Sequence, residues 1–168
     1  MHVTIVKGMA DDQIDILRPD GSEARTRFPK KGPVPHDAVH FLVEDALGLS
    51  QGFWGLIAGG LHPDAVQDRA KAAGHASAKR AGVPDASIVQ LLQAERLVEC
   101  FEAMLWSGEC DAPSLREVAL AGCKASHVPL PEMSDADILA IAARVFALRD
   151  EWIPAAPGHR WAFEWSAA

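Results

Sequence analysis

The feature that most constrains this chain is a change of hydrophobic period at Lys30-Lys31-Gly32-Pro33-Val34-Pro35. Before this connector apolar and polar residues alternate at strand spacing; after it apolar residues recur at helical spacing. Val3 to Lys7 is β-branched and apolar, and Gln13 to Arg18 carries Ile14 and Ile16 two residues apart. Glu23 to Phe28 alternates Ala24, Thr26 and Phe28 with Glu23, Arg25 and Arg27. Between the last two segments lies Pro19-Asp20-Gly21-Ser22, in which Pro presets φ and Gly accepts the positive φ of a tight turn. The pattern predicts a three-stranded antiparallel meander over residues 1–30.

Downstream, the spacing predicts helices. Pro35 suits a first helical turn, Asp37 complements the positive end of the helix dipole, and Gly48 after Leu47 is a C-terminal breaker. A short second helix is expected from Ser50 as N-cap to Gly59-Gly60, and a third, alanine-rich and weakened at Gly74, over 64–81. The strongest covers 86–106, where Ile88, Leu91, Leu92, Leu97, Val98, Phe101, Met104 and Leu105 form a broad apolar stripe. A fifth is expected over 114–125. A sixth spans 135–152, with Ser134 and Asp137 as a variant capping box. After Pro154 to Gly158, Trp161, Phe163 and Trp165 alternate with polar or small residues, so 159–165 reads as a last strand joining the meander. The expected fold is α+β and helix-dominated: a small antiparallel sheet of three or four strands, packed by about five or six helices. The chain reads as one domain over 1–168, with its helical part at 35–152.

Composition narrows the function classes. At 168 residues a single domain buries roughly 70% of its unfolded surface, enough for a core without staples. The balance of 23 acidic against 16 basic residues argues against nucleic acid as a partner, because phosphate neutralisation needs clustered Lys and Arg. The basic stretches Arg25 to Lys31 and Lys71 to Arg80 read as solvated strand and helix faces. No apolar run reaches the roughly 18–20 residues of a membrane span; the candidate Gly52 to Leu61 is broken by Gly55, Gly59 and Gly60. The N-terminal residues lack the basic and apolar regions of a signal peptide. Cys100, Cys110 and Cys123 are odd in number and form no C-x-x-C pair, which suits reduced thiols and a cytoplasmic location. Cys123 and His127 have ligand-like spacing but no second pair beside them, so buried structural thiols are the expectation.

The candidate site lies on the first helix. At about 100° per residue, Val39, Val43, Ala46 and Leu47 share the core face. His36, His40 and Glu44 follow its edge, each offset by about 40° from the last, with Asp37 beside them. Residues at i and i+4 have Cβ atoms about 6 Å apart, so His36 and His40 can meet on one divalent ion such as zinc. Glu44 lies about 12 Å along the axis from His36, too far to share that ion, and fits better as a hydrogen-bond partner of the His40 ring. The third ligand must come from elsewhere, with His62 and Asp37 as candidates.

His36-Asp37-Ala38-Val39-His40 resembles the H-E-x-x-H helix of zinc metalloproteases. Asp stands where that motif has its general base, with a reach shorter by about 1.5 Å, and the downstream ligand signature is missing, so protease activity is not expected. The stretch Pro35 to Glu44, followed by Leu47-Gly48-Leu49 and Gly52-Phe53-Trp54-Gly55, is similar to a family of small bacterial proteins of uncharacterised activity. These open with a short meander followed by an H-D-x-x-H-x-x-x-E helix. The resemblance implies the fold and the helix boundaries, and no substrate.

Three readings of the cluster stand at this point. One is a metal centre at His36 and His40, and another is metal-free acid–base chemistry. The last is a non-enzymatic structural or interaction protein, a homodimer among its forms, in which Asp37 and Glu44 pair with the histidines to stabilise the helix.

Overall fold

A computed structural model describes residues 1–72 and 83–166. Its strands are β1 (His2–Val6), β2 (Asp11–Leu17), β3 (Glu23–Pro29) and β4 (Arg160–Glu164). They form one antiparallel sheet in the order β3-β2-β1-β4. The meander is therefore joined by the last strand, which pairs with the first: Val3 lies opposite Phe163 and Ile5 opposite Trp161. Alternation sorts the side chains. Val3, Ile5, Ile14, Ile16 and Phe163 are buried on one face, while Arg25, Arg27, Arg160 and Glu164 stand exposed on the other.

The helices are α1 (His36–Leu47), α2 (Phe53–Ala58), α3 (Pro63–Ala72), α4 (Val89–Ser107), α5 (Ala112–Ala125) and α6 (Asp135–Trp152). α1 is the axis of the assembly. It is buried nearly all round, from Ala38 to Glu44, and packs against α2, α4 and α6. Phe41 ties it to the sheet, its ring centroid 4.8 Å from that of Phe163 and 5.5 Å from those of Trp54 and Trp165. The aromatic residues of β4 thus cover the core rather than offer a stacking surface.

Several element boundaries differ from those expected. The N-cap of α2 is Gly52, not Ser50 as expected, because its first turn is capped by a side chain from α1. α5 begins at Ala112, two residues before the expected start, because Asp111 accepts the Ser114 N–H at 2.9 Å and Pro113 fits the first turn. The expected 86–106 helix opens as a 3₁₀ turn, Ala86–Ile88, where Asp85 accepts the Ser87 N–H. The part of the third helix expected over 73–81, including Gly74, lies outside the described residues. α6 has the expected capping box: Ser134 Oγ accepts the Asp137 N–H at 3.1 Å, and Asp137 accepts the Ser134 N–H at 2.7 Å. Among the described residues no helix is long and apolar enough to cross a membrane.

Candidate metal centre

α1 and α4 cross antiparallel, so His36 faces Glu102 while His40, one turn later, faces Glu95. The imidazole rings of His36 and His40 lie edge to face, with centroids 4.7 Å apart. His40 Nε2 is 3.2 Å and His36 Nε2 is 3.8 Å from the same oxygen of Glu95. Ligand atoms of these three residues all lie within 4.8 Å of one another. Tetrahedral coordination with bonds near 2.1 Å separates neighbouring ligand atoms by about 3.4 Å, a value the two measured separations bracket. The described structure thus contains a His36/His40/Glu95 group at metal-binding distance.

Each ring is also held from behind. Glu44 Oε1 lies 3.0 Å from His40 Nδ1, and Glu102 Oε1 lies 2.9 Å from His36 Nδ1. A carboxylate only accepts, so both Nδ1 atoms carry the proton and donate it. Both Nε2 atoms then turn towards Glu95. Carboxylates behind ligating imidazoles fix the tautomer and raise the basicity of the metal-facing nitrogen in this way.

Glu44 is wholly buried, not on the core–solvent border where the helix wheel placed it, because α2 closes over that side of α1. Its second oxygen, Oε2, accepts the Trp54 N–H at 2.8 Å and so caps α2 from outside. Trp54 in turn donates its indole N–H to the Asp37 carbonyl at 2.8 Å. Gly52 makes this approach feasible. A Cβ there would sit 2.5 Å from Glu44 Oε2 and 2.7 Å from its Cδ. Gly52→Ala is expected to destabilise the protein by about 1–3 kcal/mol through that overlap. The urea midpoint reads it, and an unchanged midpoint would mean that Glu44 does not need the close approach.

Burial by itself would pull the His40 pKa down, but the hydrogen bonds to Glu44 and Glu95 outweigh it and push the pKa up to about 10. His36 follows the same logic: burial lowers its pKa, and the bonds to Glu102 and Glu95 carry it above the usual value. For Glu95, burial would raise the carboxyl pKa, yet the two histidines hold it well below the usual carboxylate range. All three shifts express one coupled charge network, in which protons on the imidazoles do what a cation would do between them and Glu95.

The expected ligands divide as follows. His36 and His40 converge, and Glu44 lies behind His40. Neither His62 nor Asp37 completes the group; Glu95 of α4 does. His62 sits at the start of α3, where its half-exposed ring accepts the Asp64 N–H at 3.3 Å. The Asp37 carboxyl has its pKa raised by burial, against the pull of His40, His36 and Lys31, and Asp37 lines a cavity of about 260 Å³ beside the group. The cavity reaches His36, His40 and Glu95 and is lined further by residues of α2, α3 and α4. Cys123 is buried in the core, and the cysteines are free thiols outside this group.

Glu95 and Glu102 are the residues that inspection of α1 misses. A signal for them exists: they lie seven residues apart, each four beyond an apolar residue of the buried stripe, Leu91 and Val98. Two acids repeating at a heptad beside a core face are two turns of one helix edge.

No protein-family model matches the chain, and neither a curated protein nor a solved structure matches it.

Proposed function

We propose that the protein holds one divalent metal ion through His36, His40 and Glu95, with a coordination position open to the adjoining cavity. The observation that carries this reading is the orientation of the rings: both Nδ1–H groups are taken by carboxylates, so both Nε2 atoms converge on one carboxylate oxygen. Two ring nitrogens and a carboxylate oxygen can sit that close only with protons or a cation between them, and a metal ion can take the place of the protons. Two imidazoles and one carboxylate suit zinc first, and three protein ligands with a free position are the mark of catalytic rather than structural zinc. An ion there would acidify a bound water and polarise an oxygen of a substrate in the cavity, which is the chemistry of metal-assisted hydrolysis. Under this proposal the H-D-x-x-H-x-x-x-E helix of the small bacterial proteins that the chain resembles is a ligand helix. Its Glu is the brace of the second His. The acidic charge balance favours a small molecule over a nucleic acid, and free thiols suit a cytoplasmic protein.

Elemental analysis tests the proposal on untagged protein purified without chelator or an immobilised-metal column. About one metal per chain is expected, reduced in Glu95→Gln. No metal as purified, with no thermal shift on adding zinc, manganese, iron(II) or nickel, would reject it.

A second reading has one observation in its favour. With the His40 pKa pushed up to about 10, an imidazolium bound to both Glu44 and Glu95 completes the network without metal. The protein would then be a structural or interaction module, pairing as a homodimer through the open edge of β3 or β4. A chelator-insensitive melting temperature together with a dimeric mass in solution would favour it.

A further inference from the structure

We propose that the cavity beside this centre takes a small ligand with an oxyanion head, a carboxylate or phosphate, on a compact apolar body. The inference rests on the metal reading above, because the head would be shared between the ion and the cavity's lysines. Three observations carry it.

The first is size and shape. The cavity has a volume of about 260 Å³, below the usual range of roughly 300–1,000 Å³ for ligand pockets. It therefore fits a single ring or a short acyl chain better than a nucleotide or peptide. The second is the wall. Phe53, Val66 and Leu91 line it, and Phe53 is fixed by edge contacts with Phe28 and Trp54, with centroids 6.1 Å and 5.3 Å away. Rigid aromatic and aliphatic walls reward an apolar body.

The third is charge. Lys31 and Lys71 both line the cavity, in a chain whose net charge is −7. The ion pair of Lys71 with Asp68 is long, 3.7 Å, and both side chains are largely exposed, so it does little to hold Lys71 away from a ligand. A divalent ion on one carboxylate and two neutral imidazoles keeps a net positive charge of its own. Asp37 is the acidic lining residue outside the ligand group, and Lys31 lies close enough to act on it. On the cavity's own lining the ion, Lys31 and Lys71 stand against Glu95 and Asp37, while Glu44 and Glu102 balance the remaining charge from behind the rings, so the attraction for an anion is local to the ion and the two lysines. An anion's oxygen is then attracted to the metal position, with its apolar remainder against Phe53 and Leu91.

The test uses zinc-loaded protein and three ligands of matched shape: benzoate, phenyl phosphate and the neutral benzamide. Calorimetry is expected to show benzoate or phenyl phosphate binding at least tenfold more tightly than benzamide, and which anion leads identifies the head group. In the double variant Lys31→Gln/Lys71→Gln, still zinc-loaded, the preference is expected to fall below threefold. Benzamide binding as well as both anions, or a full preference retained in the double variant, would overturn the inference while leaving the metal centre standing. Failure of the wild-type protein to take up zinc at all would instead remove the metal reading, and this inference with it.

Discussion

His40→Ala is expected to destabilise the protein by about 3–5 kcal/mol and to weaken metal binding about a hundredfold, whereas Glu95→Gln should weaken binding as much and leave the fold in place. The difference follows from what each substitution strands. Glu44 is fully buried and has two partners, the His40 ring and the Trp54 N–H. Removing the ring leaves a buried carboxylate with one hydrogen bond and no counter-charge. Glu95 is a quarter exposed in its side chain, so an amide there is solvated and unstrained. Apparent zinc affinities of about 10–16 kcal/mol in closed sites imply that each ligand contributes about 3 kcal/mol, roughly a hundredfold in affinity. Urea denaturation with metal analysis on both variants separates the two effects. Equal loss of stability in the two would mean that Glu44 is not the group His40 holds. His36→Ala falls between them, since its side chain is 13% exposed and Glu102 behind it reaches solvent more readily than Glu44 does.

The stability of the metal-free protein should fall with rising pH where that of the metal-loaded protein does not. His40 has a folded pKa raised to about 10 from an ordinary value of 6.5, so its contribution is complete below about pH 6.5. It is lost as pH rises towards 10. The loss for metal-free protein should be on the order of a few kcal/mol, seen as a falling melting temperature between those limits. Metal binding requires the unprotonated Nε2 atoms, so the stabilisation that a metal provides must grow over the same interval. Melting curves with and without zinc from pH 6 to 9 should therefore diverge. Parallel curves would show that the ion does not displace protons from these imidazoles.

What could be read along the chain was what is written locally. The stop at Gly48, the Ser134 capping box and the alternation of Trp161, Phe163 and Trp165 each depend on residues a few positions apart, and their elements stand where expected. The His36, His40 and Glu44 line was visible for the same reason, being three turns of one helix. The third member of the group was not. Glu95 is 55 residues from His40, and its place is decided by which face of α4 meets α1, a matter of packing angle rather than spacing. His62, the other expected ligand, lies at the start of α3, where its ring accepts the Asp64 N–H. The start of α2 was misplaced for a related reason: its cap is a carboxylate ten residues back in α1, and a cap borrowed from another helix leaves no mark beside the helix it serves.

The pairing of β1 with β4 bears on how the protein is made. β1 is flanked by β2, which follows within a few residues, and by β4, which arrives some 150 residues later. On the ribosome the hairpin can form early, but one side of β1 waits with the backbone of Val3 and Ile5 unpaired until residues 160–164 emerge. Pairing across so long a stretch of chain is expected to slow folding. Until it completes, the nascent chain presents an apolar strand edge to its neighbours, and that interval is when a holdase chaperone would matter most for yield.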